Sequence, residues 1–347
     1  MFEVPEFEVR QAGAANQGTG GRHPGARVAA AAFWGAALLL GAGPGLQHPA
    51  QAAPQAVAHA PAHPKSQPTP PSQPGHPAAP KASPAANLAE PCKQWVPRLP
   101  GLTAAQCSAI RLQPSGTRSV QARELWMGDV GARNAPVKVL VLGAIHGDEL
   151  SASTVALQWM GLAQDNGADA LWRFVPMLNP DGVMAQPARR VNAHGVDLNR
   201  NFPTPGWAQE APRYWAQRTR KDPRRWPGNK PLSEPESRFV HDQMTAFTPD
   251  LIVSIHAPYG VLDFDGPTDP PRRLGRLMLD PVGVFPGSLG YYGGMHKGVP
   301  VVTIELPNAQ RAPLLAETRQ MWLDLHRWMG EHLPAKTASA AQPVRAP

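Results

Sequence analysis

Two side chains three residues apart, His146 and Glu149, could grip one metal ion from the same side of a tight turn. They follow an apolar run, 137–142, that is rich in β-branched residues and predicts a buried strand. His256 ends a second run of this kind, 251–255. Three protein ligands, with a fourth position left to water, are typical of catalytic zinc. We therefore expect one zinc ion held by His146, Glu149 and His256, although a lone His-x-x-Glu also occurs on solvated turns.

A third apolar run, 300–304, ends at Glu305. A carboxylate at the end of a buried strand is costly unless it has a use. Next to zinc it could act as a general base, taking a proton from water and passing it to the leaving amine. The alternative is a structural glutamate paired with a buried arginine.

The sequence also supplies positive charge and a carboxylate clamp between the metal motifs. Arg190 could stabilise a developing oxyanion by preorganised charge. Asn199 and Arg200 are adjacent in a segment bounded by Gly195 and Pro203, and could bind a substrate carboxylate by bidentate hydrogen bonds. The alternative for that segment is a surface turn held by Asn and Asp side chains.

In these motifs the chain resembles the zinc carboxypeptidases, and within them the murein peptide amidase A branch. The resemblance extends from Ala122 to His332. The motifs, in order, are His146-Gly147-Asp148-Glu149, Asn179-Pro180-Asp181-Gly182, Arg190-Val191-Asn192, Gly195-Val196-Asp197-Leu198-Asn199-Arg200-Asn201-Phe202, Ser254-Ile255-His256-Ala257-Pro258 and Thr303-Ile304-Glu305-Leu306-Pro307. The resemblance implies that the expected trio binds zinc, that Glu305 is the base, that Arg190 polarises the scissile carbonyl, and that Asn199 and Arg200 hold the terminal carboxylate.

One departure from the family pattern concerns a mobile tyrosine that usually precedes the base and contacts the substrate terminus. Gly283-Val284-Phe285 occupies that stretch here. Tyr291 or Tyr292, closer to Glu305, could replace it, and we take Tyr291 as the substrate contact. The alternative is that both tyrosines pack in the core or at the rim of the pocket.

The resemblance further implies hydrolysis of the amide that joins γ-D-glutamate to meso-diaminopimelate in murein peptides, with release of the C-terminal amino acid. Arg200 and Arg190 suit the carboxylates of such a substrate. Asp263, or Asp265, could meet its extra ammonium group, and we take Asp263 for this contact. Acidic residues before a Gly-Pro turn more commonly stabilise the turn itself.

Two other functions stay open on the sequence. The first is a metallocarboxypeptidase or deacylase that acts on α-linked or acylated amino acids. The second is a wall-peptide binder without catalysis, which the missing tyrosine would favour. The presence of both Glu149 and Glu305 argues against the binder, because binding alone needs neither.

The N-terminal 52 residues have the parts of a secretory signal. Arg22 and Arg27 precede an apolar run, 28–40, and a small-residue site follows at Ala50-Gln51-Ala52. We predict that 1–52 is a signal peptide cleaved after Ala52, or else an N-terminal membrane anchor with the catalytic part outside. Either way, the enzyme is expected to be periplasmic or secreted.

The segments on either side of the catalytic part are expected to be disordered. Residues 53–89 are rich in Pro, Ala, Gln, Ser and His and predict a semi-rigid tether, and 335–347 predicts a tail. The only cysteines, Cys92 and Cys107, lie where the folded part begins. In an oxidising compartment a loop this short favours a disulfide, and no second cysteine pair nearby supports a zinc site.

Residues 90–334 are long enough for one domain, in which predicted strands alternate with predicted helices. The expected fold is α/β: a mixed, mostly parallel twisted sheet with helices on both faces and the active site at the strand ends. Three helices are predicted. The first spans 151–164, the second begins at a capping box formed by Ser233 and Glu236, and the third lies near the C-terminus. The last has an apolar face formed by Leu314, Met321, Trp322, Leu325 and Trp328.

The formal net charge of +7 raises nucleic acid as a partner, but no nucleic-acid-reading motif is present, so we expect none. Six basic residues between 213 and 225 are interleaved with Tyr214, Trp215 and Trp226. Anionic envelope polymers or acidic substrate groups are the expected targets of this cluster, and a solvated loop is the alternative. The sequence does not predict an oligomeric state.

Overall fold

The computed structural model of the chain describes residues 90–166 and 169–333. The predicted signal or anchor 1–52, the tether 53–89 and the tail 335–347 lie outside the described residues. Within them, no helix is both long enough and apolar enough to cross a bilayer.

Strands in this part of the chain form one large sheet and one small hairpin. Their bounds are β1 Gln113–Arg118, β2 Glu124–Val130, β3 Lys138–Gly143, β4 Leu171–Val175, β5 Leu251–His256, β6 Leu262–Asp265, β7 Arg273–Leu274, β8 Leu277–Met278 and β9 Val301–Glu305. The seven-stranded sheet has the order β1-β2-β4-β3-β5-β9-β6, and β7 pairs with β8. The four central strands, β4, β3, β5 and β9, are parallel, and the strands at both edges are antiparallel.

Helices connect these strands and cover the sheet. Their bounds are α1 Cys92–Trp95, α2 Ala104–Ala109, α3 Leu150–Asn166, α4 Pro180–Met184, α5 Trp207–Gln217, α6 Pro235–Ala246 and α7 Leu315–His332. Shorter helical segments are the 3-10 turns Leu198–Arg200 and Pro223–Arg225 and the π-helical segment Gly290–His296.

The central strands are buried on both faces because their alternate side chains enter two different cores. Val139 and Val141 of β3 belong to a core that contains Trp159 of α3 and Trp322 of α7. Leu140 and Leu142, the neighbours of these valines, belong to a core on the opposite face with Phe239 and Val240 of α6. Helices therefore cover both faces, as continuous apolar strands predict for a parallel sheet.

The predicted disulfide is present. Cys92 of α1 is bonded to Cys107 of α2. Both cysteines belong to a third apolar cluster, which also contains Leu150 at the start of α3 and Val183 of α4. The bond thus ties the first described segment to the elements next to the metal motifs.

The predicted capping box at Ser233 is wrong. Helix α6 begins at Pro235 with Glu234 as its N-cap, and no side chain caps it. Proline is favoured in the first helical turn, where its missing N–H costs nothing. The Ser233 hydroxyl instead donates to Glu234 Oε1 at 2.6 Å, and Glu236 accepts hydrogen bonds from Asn192 and from the Val120 backbone N–H.

Two further expectations need correction. The apolar face of α7 includes buried Met321, Trp322, Leu325 and Trp328, but Leu314 lies before the helix and is 73% exposed. The basic cluster is not one loop, because α5 contains its first basic residue, Arg213, and a 3-10 turn contains the last two, Arg224 and Arg225.

Candidate active site

The three predicted metal ligands converge, and each is buried. His146 Nδ1 lies 2.8 Å from Glu149 Oε1, and His256 Nδ1 lies 3.0 Å from Glu149 Oε2. The two histidine Nδ1 atoms are themselves only 3.1 Å apart. One ligand atom from each residue fits within 4.8 Å of the others. This is the chemistry of a divalent-cation site: two imidazoles and one carboxylate aimed at a common point.

The outward-facing nitrogens of the two histidines show that this donor set fits zinc. His146 Nε2 lies 3.2 Å from Asp197 Oδ1, and His256 Nε2 lies 3.0 Å from Ser254 Oγ. Metal-binding histidines usually make such a second hydrogen bond, which fixes the ring and leaves the other nitrogen for the ion. Although burial favours a neutral Glu149, the two histidines hold the pKa of its carboxyl well below the ordinary value. It is therefore available as an anionic ligand.

The glycine of the first motif allows the metal-binding turn to pack against the second motif. A Cβ on Gly147 would lie 2.5 Å from the Cα of Gly182. The Gly147 N–H donates to the Arg190 carbonyl at 3.1 Å, and Asn179 Nδ2 donates to the same carbonyl at 3.1 Å. The Asn-Pro-Asp-Gly motif thus serves as a support that sets the backbone of Arg190 beside the metal ligands.

Strand register places the predicted base next to a ligand. Glu305 ends β9 directly opposite His256 at the end of β5. Glu305 is 6% exposed, and no described residue forms a hydrogen bond with its Oε2. Burial, reinforced by the negative charge of Glu149, raises the pKa of the Glu305 carboxyl. A buried carboxylate next to a metal ligand, with one oxygen not engaged in a hydrogen bond to a described residue, suits proton transfer.

Asp197 joins the metal ligands to Arg190. Its Oδ1 accepts from the Asn199 N–H at 3.0 Å and faces His146, and its Oδ2 accepts from Arg190 Nε and Nη2 at 3.1 and 3.0 Å. Burial opposes its charge, but Arg190 and His146 hold the pKa of Asp197 well below the ordinary value. Nothing in the sequence singled out Asp197, although it lies within the motif that runs from Gly195 to Phe202.

The predicted carboxylate clamp lies in a 3-10 turn that faces the same cavity. Asn199 Oδ1 accepts from the Leu289 N–H at 2.8 Å, which leaves its Nδ2 for a ligand. Arg200 Nη1 donates to the Asn199 carbonyl at 2.6 Å, and its guanidinium lies 4.5 Å from the Phe285 ring centre. Its Nε has no hydrogen-bond partner among the residues that the structure describes. Burial lowers the pKa of Arg200 to about 10, so the side chain is still a cation at neutral pH.

The cavity above the metal site has a volume of about 360 Å³ and combines positive and negative walls. The cationic lining residues are Arg190, Arg200, Arg224 and Arg225, and the acidic ones beyond the metal trio include Asp263 and Asp265. Asp263 and Asp265 are alternate residues of β6 and point to the same side. Burial and the charge of Asp263 raise the pKa of Asp265 to about 7.

Asp265 needs the glycine at 290. A Cβ on Gly290 would overlap the Asp265 carboxylate. No residue of the described chain forms a hydrogen bond with that carboxylate. Because Leu289, the neighbour of Gly290, donates to Asn199, Asp265 and the carboxylate clamp lie against the same short segment. Both also line the same cavity.

The structure does not bring Tyr291 into the cavity. Its side chain is half-buried in the π-helical segment, which contributes Gly290 to the cavity wall instead. Tyr292 is buried, and its hydroxyl pairs with His241 Nδ1 at 2.7 Å. Phe285 lines the cavity in the stretch where the family tyrosine is missing, and its ring packs on Arg200. This contact was not predicted, because no pattern in the sequence links the two residues.

Known proteins resemble this chain. Residues 101–264 match the family described as zinc carboxypeptidase. The murein peptide amidase A of Vibrio campbellii is 32% identical over 177 residues, which cover 48% of this chain and 68% of that protein. The murein peptide amidase A of Escherichia coli K12 is 35% identical over 126 residues, or 36% of this chain and half of that protein.

Two solved structures superpose on this chain. Thrombin activatable fibrinolysis inhibitor superposes with a TM-score of 0.50 at 16% identity, covering 69% of this chain and 75% of that one. The murein-tripeptide amidase of Escherichia coli O157 superposes with a TM-score of 0.47 at 23% identity, covering 65% of this chain and 95% of the other. The first of these likenesses supports the α/β fold, and at this level of identity it says nothing about the substrate.

Proposed function

The chain belongs to the zinc carboxypeptidase family, whose members hydrolyse peptides, and from this premise we propose that it cleaves the amide between γ-D-glutamate and meso-diaminopimelate in murein peptides. The product released would be the C-terminal amino acid. The names of the two murein peptide amidases above support this substrate class.

The observation that carries the proposal is the pairing of the carboxylate clamp with a second, acidic subsite. A C-terminal diaminopimelate offers a carboxylate at the cleavage end and both an ammonium and a carboxylate at the far end of its side chain. Asn199 and Arg200 suit the first carboxylate. Asp263 and Asp265, which line the same cavity as the clamp, suit the ammonium.

In the proposed reaction, the metal ligands, Glu305 and Arg190 each have a separate role. A zinc ion held by His146, Glu149 and His256 would supply Lewis acidity, which lowers the pKa of water and polarises a carbonyl group. Glu305 takes a proton from the attacking water and returns it to the amide nitrogen as the C–N bond breaks. Arg190 offers positive charge to the oxyanion that develops on the carbonyl oxygen.

We also propose that the enzyme works outside the cytoplasm. The signal-like segment 1–52 supports this location, and so does the Cys92–Cys107 disulfide, because such bonds persist in oxidising compartments. The tether 53–89 would then separate the catalytic part from a retained membrane anchor, if 1–52 is not cleaved.

The test is product release by the purified chain from L-Ala-γ-D-Glu-meso-diaminopimelate, beside an α-linked dipeptide, with and without a chelator. We expect chelator-sensitive release of diaminopimelate from the first peptide and little hydrolysis of the second. Glu305→Gln keeps the shape of the side chain but removes the base. It should lower kcat by roughly 10²–10⁴-fold while zinc content stays at one ion per chain.

Two results would overturn the proposal in different ways. Hydrolysis of the α-linked peptide alone would keep the metal site and replace the substrate with an ordinary C-terminal residue. Binding of the murein peptide by a zinc-loaded protein that hydrolyses neither compound would make the chain a wall-peptide binder.

A further inference from the structure

A second cavity adjoins the active site. Its volume is about 460 Å³, and the side chains of Arg190 and Arg224 line both cavities. Asn199 and Arg200 line only the first. The second cavity therefore opens from the Arg190 side of the metal site and not from the carboxylate clamp.

The walls of this second cavity are largely apolar and aromatic. Trp215 of α5 and Trp226, just after the 3-10 turn, both contribute to it and are half-buried. Trp215 Nε1 donates to the Asp222 carbonyl at 2.7 Å, so the ring surface is what this residue offers a ligand. Within residues 90–166 and 169–333, Trp226 Nε1 has no acceptor and is available as a donor. Aromatic walls with a few polar groups are characteristic of ligand sites.

The rim of the second cavity is cationic. Arg224 is paired with Asp148 at 2.9 Å, beside the metal ligand Glu149. Arg189 is exposed, and its guanidinium has no acidic or hydrogen-bonding partner in the described part of the chain. A cavity with apolar walls and an unpaired guanidinium complements a small organic anion.

The clamp fixes the direction in which a substrate lies. With the terminal carboxylate at Asn199 and Arg200 and the scissile carbonyl beside Arg190, the acyl side of the substrate leaves the metal site away from the clamp. The second cavity shares Arg190 and Arg224 with the active site and contains neither clamp residue, so it suits the acyl side. In a γ-linked glutamate the α-carboxylate stays free on the acyl side, whereas an α-linked glutamate uses that carboxylate in the scissile bond.

We propose that the second cavity is an acyl-side subsite for an acidic dipeptide, with the free α-carboxylate at Arg189 and Arg224 and the apolar part against Trp215 and Trp226. The proposal rests on the proposed function for the identity of the dipeptide. It gives the enzyme a physical means to prefer γ-linked over α-linked substrates. The leaving amino acid plays no part in that choice.

The test is direct binding to the full-length, zinc-loaded chain by titration calorimetry. The ligand is L-Ala-D-Glu with its γ-carboxyl blocked as the methylamide, which leaves the α-carboxylate as its only anion. The comparison ligand carries an α-carboxamide instead. We expect the carboxylate to bind at least about tenfold more tightly, a difference that a charge-assisted hydrogen bond can supply.

Single-residue variants then test which side chain binds the α-carboxylate. Arg189→Gln should abolish the preference for the carboxylate, and Trp226→Leu should weaken both ligands alike. Arg218→Gln is the matched control, because this exposed arginine belongs to the same basic cluster and lines neither cavity. In hydrolysis assays Arg189→Gln should lower kcat/KM for the acidic γ-linked peptide about tenfold and leave that of its α-amidated analogue unchanged.

The outcomes separate this proposal from the proposed function. Equal binding of the two ligands by the wild-type chain, or an unchanged preference in Arg189→Gln, would overturn the acyl-side subsite even if murein peptides are hydrolysed. A preference that depends on Arg189 in a chain that fails to cleave murein peptides would support the subsite and overturn the substrate assignment alone.

Discussion

At the scale of single residues, Asp197 connects a metal ligand to Arg190 without being a metal ligand itself. It holds the ring of His146 and two nitrogens of Arg190 at once. We predict that Asp197→Asn lowers zinc affinity about 10–100-fold, as loss of a carboxylate behind a ligating histidine commonly does. The same change frees Arg190 and should lower kcat further in zinc-saturated protein. Zinc affinity is measured by competition with a chelator, and kcat at saturating zinc.

A surface pair provides the control for that experiment. Asp129→Asn removes the carboxylate partner of Arg173 in the sheet, where the two side chains are 2.7 Å apart and partly exposed, and leaves the bond from Arg173 to Gln243. Neither residue lines the active-site cavity, so zinc affinity should not change. Equal zinc affinity in wild type and Asp197→Asn would show that Asp197 does not orient His146.

The ionised Asp265 carboxylate is expected to lower the stability of the folded chain while it contributes to substrate binding. Its pKa is raised from 3.8 to about 7 in the folded chain, so folding favours the protonated form. Its contribution to stability is complete below about pH 4 and is lost as the pH rises toward 7. Asp265→Asn should therefore raise the free energy of unfolding at pH 8 by about 1–4 kcal/mol, and by little at pH 4.

Denaturant unfolding of metal-free protein at the two pH values measures this difference. The same variant should bind substrates with a terminal ammonium less well, because the negative charge that faces them is gone. A variant that is less stable than wild type at pH 8 would show that the Asp265 carboxylate is compensated by a partner.

At the scale of elements, the contact between the metal-binding turn and α4 depends on Gly147. Gly147→Ala places a methyl group against the backbone of Gly182, which cannot move aside as a flexible side chain could. We predict a loss of stability of about 1–3 kcal/mol, as for other overpacked sites. Zinc affinity should fall as well, because the turn carries His146 and Glu149. Thermal unfolding and chelator competition measure the two effects.

Gly161→Ala in the middle of α3 is the matched control. A Cβ there would have no neighbour within 4 Å. Alanine is the better helix former, so this variant should be more stable by about 0.5–1 kcal/mol with unchanged zinc affinity. Similar results for both glycine variants would mean that the close approach at Gly147 has no energetic effect.

At the scale of the whole molecule, the disulfide is expected to stabilise the domain without acting on the chemistry. Cys92 and Cys107 are 15 residues apart in sequence. Closing a loop of that size lowers the entropy of the unfolded chain and so raises the free energy of unfolding by roughly 3 kcal/mol. The double Cys→Ser variant should show a lower Tm, with the kcat and zinc affinity of the wild type. Loss of zinc binding at a temperature where this variant is folded would show instead that the bond shapes the metal site.

Much of the site could be predicted from the sequence. His146, His256 and Glu305 each follow an apolar run, and parallel strands bring their carboxyl ends to one edge of a sheet. Local composition thus determined both the strands and the residues at their ends. The domain's α/β class followed from the same alternation of strand and helix, because each apolar run had to be covered on both faces.

Contacts between segments that are far apart in sequence were decided only by the tertiary structure. The pairing of Asp197 with His146, the packing of Phe285 on Arg200 and the space that Gly290 leaves for Asp265 have no local signature. Tyr291 had the right residue type, but its helical segment does not bring its side chain into the cavity. The order of residues fixes which groups are available near a strand end, whereas side-chain packing selects the few that meet a ligand.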